Sequence, residues 1–167
     1  MAGTTRVLIT GMSGTGKSTT IAALAARGYK AIDTDSDEWS EWVTIPGDAA
    51  DGQPAERDWV WREDRLRDLL ATDDVPALFV AGCKSNQGQF YPRFDRIVLL
   101  SAPVAVIEAR LATRTNNPYG KHPDEFAQVL RYLATVEPLL RRRATLEIDT
   151  SAPLARVVET ILRHSLP

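Results

Sequence analysis

The stretch Gly11-Met12-Ser13-Gly14-Thr15-Gly16-Lys17-Ser18 fits the spacing G-x-x-x-x-G-K-[ST] at every fixed position. Its glycines permit backbone angles that let successive N–H groups curl around a phosphate chain. Lys17 supplies a mobile positive charge for the outer phosphates, and the Ser18 hydroxyl can ligate a bridging magnesium ion. The nucleotide-binding set expected here is Gly11, Ser13, Gly14, Thr15, Gly16, Lys17, Ser18 and Thr19, with Lys17 also catalytic.

Asp33 and Asp35 form a second constellation. Two residues apart at a strand end, their side chains face the same way and can address one phosphate. Asp33 is expected in the metal shell and beside the substrate. Asp35 is expected to take or orient the proton of an attacking hydroxyl. A helix cap is the competing role, but it needs only one of the two.

Such groups need a strand before the loop and a helix after it, because the helix N-terminus adds aligned dipoles to the anion site. Arg6–Thr10 reads as that strand, and the alanine-rich run from Ser18 to Arg27, stopped by Gly28, as that helix. Tyr29–Ile32 reads as the next strand, giving a right-handed βαβ unit with Asp33 and Asp35 at the carboxyl edge of the sheet. Ala77–Ala81, Arg96–Leu100 and Ala144–Ile148 complete five strands, the first of these apolar enough to be buried on both faces.

Between them, Ser36–Val43 is expected as a short helix, Thr44–Gln53 as a loop and Pro54–Thr72 as a helix with Trp59, Leu66 and Leu70 along its core stripe. Trp61 falls roughly opposite that stripe, so Trp61, with Trp39 or Trp42, is a candidate to wall a pocket for a ring-containing substrate. Lys84, in the polar run Gly82–Gly88 after the third strand, is a further substrate candidate. Cys83 reads as a small packing residue.

Arg110 and Arg114 lie on or just after a helix that starts near Pro103, and lead into a loop dense in Gly, Pro, Asn and basic residues. Residues 114–123 are therefore the candidate lid, with Arg114 able to reach the transferring phosphate on closure. Pro123–Arg143 reads as a helix bent by Pro138. Ser151 and Pro153, in the loop after the fifth strand, are placed to bracket the adenine.

The 167 residues fit one domain, with 44% hydrophobic and 25% charged residues, which are ordinary globular values. A net charge of −2 argues against a general nucleic-acid binder. The single cysteine precludes an intramolecular disulfide. The expected protein is soluble and cytoplasmic, without a membrane partner, and a monomer or homodimer.

The phosphate loop, Ile32-Asp33-Thr34-Asp35, and Pro138–Thr145 followed by Ile148-Asp149-Thr150 together resemble the shikimate kinase-like group of small P-loop kinases, which includes gluconate kinases. The resemblance implies an α/β P-loop NTPase three-layer sandwich: a five-stranded parallel sheet of order 2-3-1-4-5, flanked by helices, with a lid. It implies ATP and Mg2+, a metal role for Asp33, an acceptor-hydroxyl role for Asp35 and a nucleotide contact for Arg110. Shikimate-specific positions differ. Asp58-Trp59 stands at the family's acid-gripping Phe-Arg pair, Gly82-Cys83-Lys84 at its triple-glycine turn, Asn117-Pro118 at its Arg-Pro lid motif and Val136 at another carboxylate-binding arginine, so another small hydroxylated acceptor is expected. The alternatives are a nucleoside or nucleotide kinase with tryptophans stacking the base, an ATP-binding switch, and a polynucleotide kinase disfavoured by the charge.

Overall fold

The computed structural model describes residues 3–45, 56–115 and 117–166. Its central sheet is built from β1 (Thr5–Thr10), β2 (Lys30–Asp33), β5 (Ala77–Ala81), β6 (Arg96–Ser101) and β7 (Leu146–Asp149), while β3 (Ser40–Ile45) and β4 (Glu56–Trp61) form a separate hairpin. The central order is β2-β5-β1-β6-β7, with every neighbouring pair parallel. Numbered within that sheet alone, this is the expected 2-3-1-4-5.

The helices are α1 (Lys17–Ala26), α2 (Glu63–Ala71), α3 (Val104–Thr113), α4 (Pro123–Thr135), α5 (Glu137–Arg143) and α6 (Leu154–Ser165). β5 is buried along its whole length, because helices cover both faces of a parallel sheet. One core layer joins Val7, Ile9, Phe79 and Val98 to Leu24 of α1 and Val157 and Ile161 of α6. The opposite layer joins Leu8, Leu78 and Val80 to Leu66, Leu69 and Leu70 of α2, with Trp61 and Phe90. Adjacent strand residues thus face opposite layers, as the two-residue period requires.

Two expectations are corrected here. Residues 40–45 are a strand, not the end of a helix, and residues 56–61 are a second strand paired antiparallel with it, Trp42 opposite Trp59 and Ser40 opposite Trp61. The run Ser-Glu-Trp-Val-Thr-Ile is rich in aromatic and β-branched side chains, which pack well on a pleated surface. The Trp42 and Trp59 rings meet across the pair with centroids 5.1 Å apart. The helix expected from Pro54 begins only at Glu63, where Glu63 and Asp64 complement the dipole of the first turn. Most of the expected 44–53 loop lies outside the described residues, and Thr44 and Ile45 belong to β3. The expected Pro138 bend is a full break: α4 ends at Thr135, and α5 restarts with a proline in its first turn. Among the described residues, no helix is long and apolar enough to cross a membrane.

Candidate active site

β1 delivers the chain into the phosphate loop, and α1 begins immediately behind it, with Gly16 at φ 95° as its cap residue. Gly11 is sterically required. A Cβ there would lie 2.4 Å from the Leu100 carbonyl oxygen and 2.8 Å from Thr15 Oγ1. Lys17 Nζ donates to the carbonyls of Gly11 (2.6 Å) and Met12 (2.9 Å), folded over the loop whose phosphate it would meet. Burial pushes the Lys17 ammonium below the ordinary lysine range. Cys83, Asp35 and Asp33 favour its charge, and Lys84 opposes it.

The loop is clamped from the far side of the sheet. Arg110 of α3 donates to the Gly14 carbonyl (3.2 Å), to Thr150 Oγ1 (2.9 Å) and to the Thr150 carbonyl (2.5 Å), while the Thr150 hydroxyl donates to the Thr15 carbonyl at 2.7 Å. Thr150 was not a sequence candidate. Its position just after β7, on the ligand edge of the sheet, was the available signal. Ser151 and Pro153 share this exit loop, but the cleft beside it is lined by Thr150, Ala152, Leu154 and Val157 instead. Ser151 is turned back, its N–H and hydroxyl both donating to Asp149 Oδ1.

At its carboxyl end, β2 places Asp33 beside the loop, where Ser18 Oγ donates to Asp33 Oδ2 at 2.9 Å. A hydroxyl and a carboxylate oxygen in contact are a hard-oxygen donor set, which suits magnesium. Among the described residues no group of three or more His, Cys, Asp or Glu could hold a metal. That donor set is the kind magnesium uses when nucleotide phosphates and water complete its shell.

Asp35 Oδ1 accepts two bonds, from Trp59 Nε1 of β4 and from Lys84 Nζ of the loop after β5, each at 2.9 Å. Its side chain is 52% exposed, whereas that of Lys84 is 9% exposed. Burial presses the Asp35 carboxyl upward. The Lys84 hydrogen bond and charge, then Trp59 and Lys17, outweigh it and hold the group below the ordinary carboxylate range. Asp35 is therefore ionised at neutral pH, and among the described residues no donor reaches its Oδ2.

Two amides, the buried Gln87 and the half-buried Asn86, set the loop that carries Lys84. Gln87 Oε1 accepts from the Lys84 backbone N–H (2.9 Å), and its Nε2 donates to Thr10 Oγ1 and to the Tyr91 hydroxyl. Asn86 pairs with both backbone groups of Trp61, fastening β4 to the loop. Gly82 is needed for close approach, since a Cβ there would lie 2.5 Å from Thr34 Oγ1.

Trp61 and Trp39, candidates to wall a substrate pocket, do not line the cleft. Trp61 has no exposed surface and donates from Nε1 to the buried Thr34 Oγ1 at 2.7 Å. Trp39 is half-buried against the α2 side of the core. Both changes follow from the hairpin, whose register turns Trp61 inward. Trp59, read from sequence as core, is the tryptophan that reaches the site. Cys83 packs near Met12, Leu99 and Leu140, as a small apolar residue would.

One cleft of about 1380 Å³ runs from Leu154 and Val157, past Gly11–Thr20, Asp33, Asp35 and Lys84, to Asp58 of β4 and to Tyr132 and Leu139 of α4 and α5. Arg114, Asn117 and Tyr119 close one side of it. Arg114 donates to the carbonyls of Asn117 (2.9 Å) and Tyr119 (2.6 Å), so in this arrangement it shapes its own segment.

Solved structures share this architecture at low identity. Shikimate kinase from Acinetobacter baumannii in complex with shikimate aligns with a TM-score of 0.65 and 18% identity, covering 96% of this chain and 92% of that one. Shikimate kinase from Bacteroides thetaiotaomicron gives 0.64 and 19%, covering 96% and 97%. A gluconokinase from Sinorhizobium meliloti 1021 gives 0.53 and 20%, covering 98% and 92%. No curated protein matches the sequence. These likenesses establish the fold as that of the small P-loop kinases. Residues 7–131 match the family described as an AAA domain, and the chain belongs to that family.

Proposed function

We propose that the protein is an ATP- and magnesium-dependent phosphotransferase that moves the γ-phosphate of ATP to a hydroxyl of a small metabolite. The observation that carries this reading is the arrangement of the cleft. A phosphate loop and an ionised, doubly hydrogen-bonded Asp35 share one cavity, with the Ser18–Asp33 pair beside the loop. A protein that only senses nucleotide has little use for such an oriented carboxylate.

The loop amides and Lys17 bind the triphosphate, and Arg110 holds the loop and the β7 exit around it. Magnesium, held by Ser18 and Asp33, would neutralise phosphate charge. Phosphoryl transfer passes through a loose transition state, so positioning matters more than strong basicity. A carboxylate kept below its ordinary pKa fits this demand, because it orients the acceptor hydroxyl and receives its proton late. The 114–123 segment acts as the lid, closing over the phosphates to exclude water and bringing Arg114 toward the transferred group.

The test is ADP formation from ATP and magnesium across sugars, polyols, sugar acids, shikimate, nucleosides and nucleoside monophosphates, with Lys17→Ala as control. An acceptor that raises turnover well above the water rate, and does so only with Lys17 present, supports the reading. ATP hydrolysis indifferent to every acceptor class refutes it.

A further inference from the structure

The acceptor end of the cleft has an asymmetric charge pattern. Asp58 is half-buried on β4 and lines the cleft. Ser85 Oγ donates to its Oδ2, and among the described residues no cation pairs with it and no protein donor reaches its Oδ1. Ser85 follows Lys84 in the chain, so Asp58 and Asp35 are held by adjacent residues of one loop. Among the described residues Asp35 likewise keeps Oδ2 uncommitted, because both its bonds land on Oδ1.

Most of the nearby cations are committed in this arrangement. Lys84 is bound to Asp35 and nearly buried, Arg110 holds Gly14 and Thr150, and Arg114 holds the carbonyls of Asn117 and Tyr119. Arg57, which also lines the cleft beside Asp58, is exposed and lies over the Trp42 ring, 4.8 Å from its centroid. An acceptor carrying a carboxylate or phosphate would therefore bring an anion against two carboxylates, with Arg57 free to meet it only by leaving the Trp42 ring. A molecule rich in hydrogen-bond donors meets the opposite situation: two oxygens on different elements wait for donors.

We propose that the acceptor is a polyol, plain or amino-substituted, without an acid group, and that Asp58 is the specificity residue that takes its second donor. This rests on the phosphotransferase reading and assigns the substrate class of the same site. One hydroxyl donates to Asp35 Oδ2, and a neighbouring hydroxyl or ammonium donates to Asp58 Oδ1. The reacting oxygen then forms a bond to the γ-phosphorus as the bond from that phosphorus to the β–γ bridging oxygen breaks. ADP departs with that electron pair, and the hydroxyl proton passes to Asp35 Oδ2 and on to solvent.

The experiment compares ADP formation at saturating ATP and magnesium for matched acceptors. Glucose, glucosamine, sorbitol and myo-inositol form one arm; gluconate, glucuronate, glucose 6-phosphate and shikimate form the other. The expected result is a kcat/KM at least tenfold higher for the best acid-free member than for its acid counterpart. Asp58→Asn should lower the best value about tenfold, with KM for ATP unchanged. Ser85→Ala, which frees Asp58 without removing it, should change it in the same direction by less. An advantage for glucosamine over glucose that vanishes in Asp58→Asn assigns an ammonium to Asp58, and equal use of the two assigns a hydroxyl. Preference for an acid acceptor, or an unchanged kcat/KM in folded Asp58→Asn, overturns the proposal while leaving the phosphotransferase intact. Bound ATP with no acceptor of either arm above the water rate overturns both.

Discussion

Replacing Lys84 with methionine keeps the length and apolar body of the side chain and removes one charge from between two functional groups. In the wild type Lys84 lies 2.9 Å from Asp35 with only 9% of its side chain exposed, while Asp35 is 52% exposed. Solvent screening at the Asp35 end discounts the pair, and exposed ion pairs contribute only about 0.2–1 kcal/mol. A nearly buried donor places this one toward the upper end, so about 1 kcal/mol of alignment is lost, roughly a fivefold fall in kcat at neutral pH. The pH profile carries the sharper test. With Lys84 gone, burial of Asp35 is opposed only by Trp59 and Lys17, so its pKa rises and the acid limb moves to higher pH. Lys84 also depresses Lys17, so the alkaline limb, where Lys17 loses its proton, moves to higher pH as well.

Stability has its own sign. A carboxylate whose pKa is depressed by folding stabilises the protein above its unfolded pKa and loses that contribution as pH falls through the folded value. The stability gap between wild type and Lys84→Met should therefore be present at pH 7 and close on acidification through the carboxylate range. Steady-state rates at saturating substrates from acid to alkaline pH, with urea titrations at each pH, measure both effects. An acid limb that stays in place or moves down would refute the assignment of Lys84 as the group that holds Asp35 ionised.

Trp59→Phe keeps a ring opposite Trp42 but removes the N–H on Asp35 Oδ1. On a half-exposed carboxylate this amounts to about 0.5–1 kcal/mol, so kcat should fall roughly two- to fivefold with KM for ATP unchanged, read by steady-state kinetics. Trp61→Phe removes the donor that meets the buried Thr34 hydroxyl. It should cost about 1–2 kcal/mol in urea denaturation with an unaltered m-value. Gly82→Ala forces a methyl to within 2.5 Å of Thr34 Oγ1 and 3.0 Å of Trp61 Nε1. Overpacking of about 1–3 kcal/mol follows, visible as a fall in thermal midpoint of several degrees. Arg110→Ala releases three hydrogen bonds that join the phosphate loop to the β7 exit, so KM for ATP should rise about tenfold or more while the fold persists.

The nucleotide half of the site was legible because its chemistry lies in consecutive residues. The phosphate loop, its strand and its helix are contiguous, and the Asp33/Asp35 pair follows at the end of the next strand. The other half was misread where both strands of the hairpin were taken mainly for helix. Trp59, Leu66 and Leu70 are spaced as a helical stripe, yet the stripe crosses a strand end at Trp61. Arg62, the cap residue of α2, makes no side-chain cap bond, so neither glycine, proline nor a capping side chain marks the boundary. The signal that could have marked it was Glu63-Asp64, an acidic first turn. Trp59 then took the wrong role with its element, and Trp61 with it. Asn86 and Gln87 were visible as polar residues, but their bonds span 25 and 77 positions, beyond any local pattern.

That division has a physical basis in how each half is attached. The phosphate loop is held by the sheet: β1 hydrogen-bonds to β5 and β6 on either side, and Thr150 and Arg110 brace it from β7 and α3. The β3–β4 hairpin shares no ladder with the central sheet. Its links include the buried Trp61 ring on Thr34, the Asn86 amide and the Ser85–Asp58 contact. Side-chain attachment leaves the strand faces free to change sequence without disturbing the sheet, so the acceptor wall can alter its charge while the phosphate site stays fixed. A fold held in common with kinases of 18–20% identity is therefore compatible with a different acceptor. On the proposed reading, the choice of acceptor falls to residues of the hairpin and the β5 exit loop: Asp58, Trp59, Lys84 and Ser85.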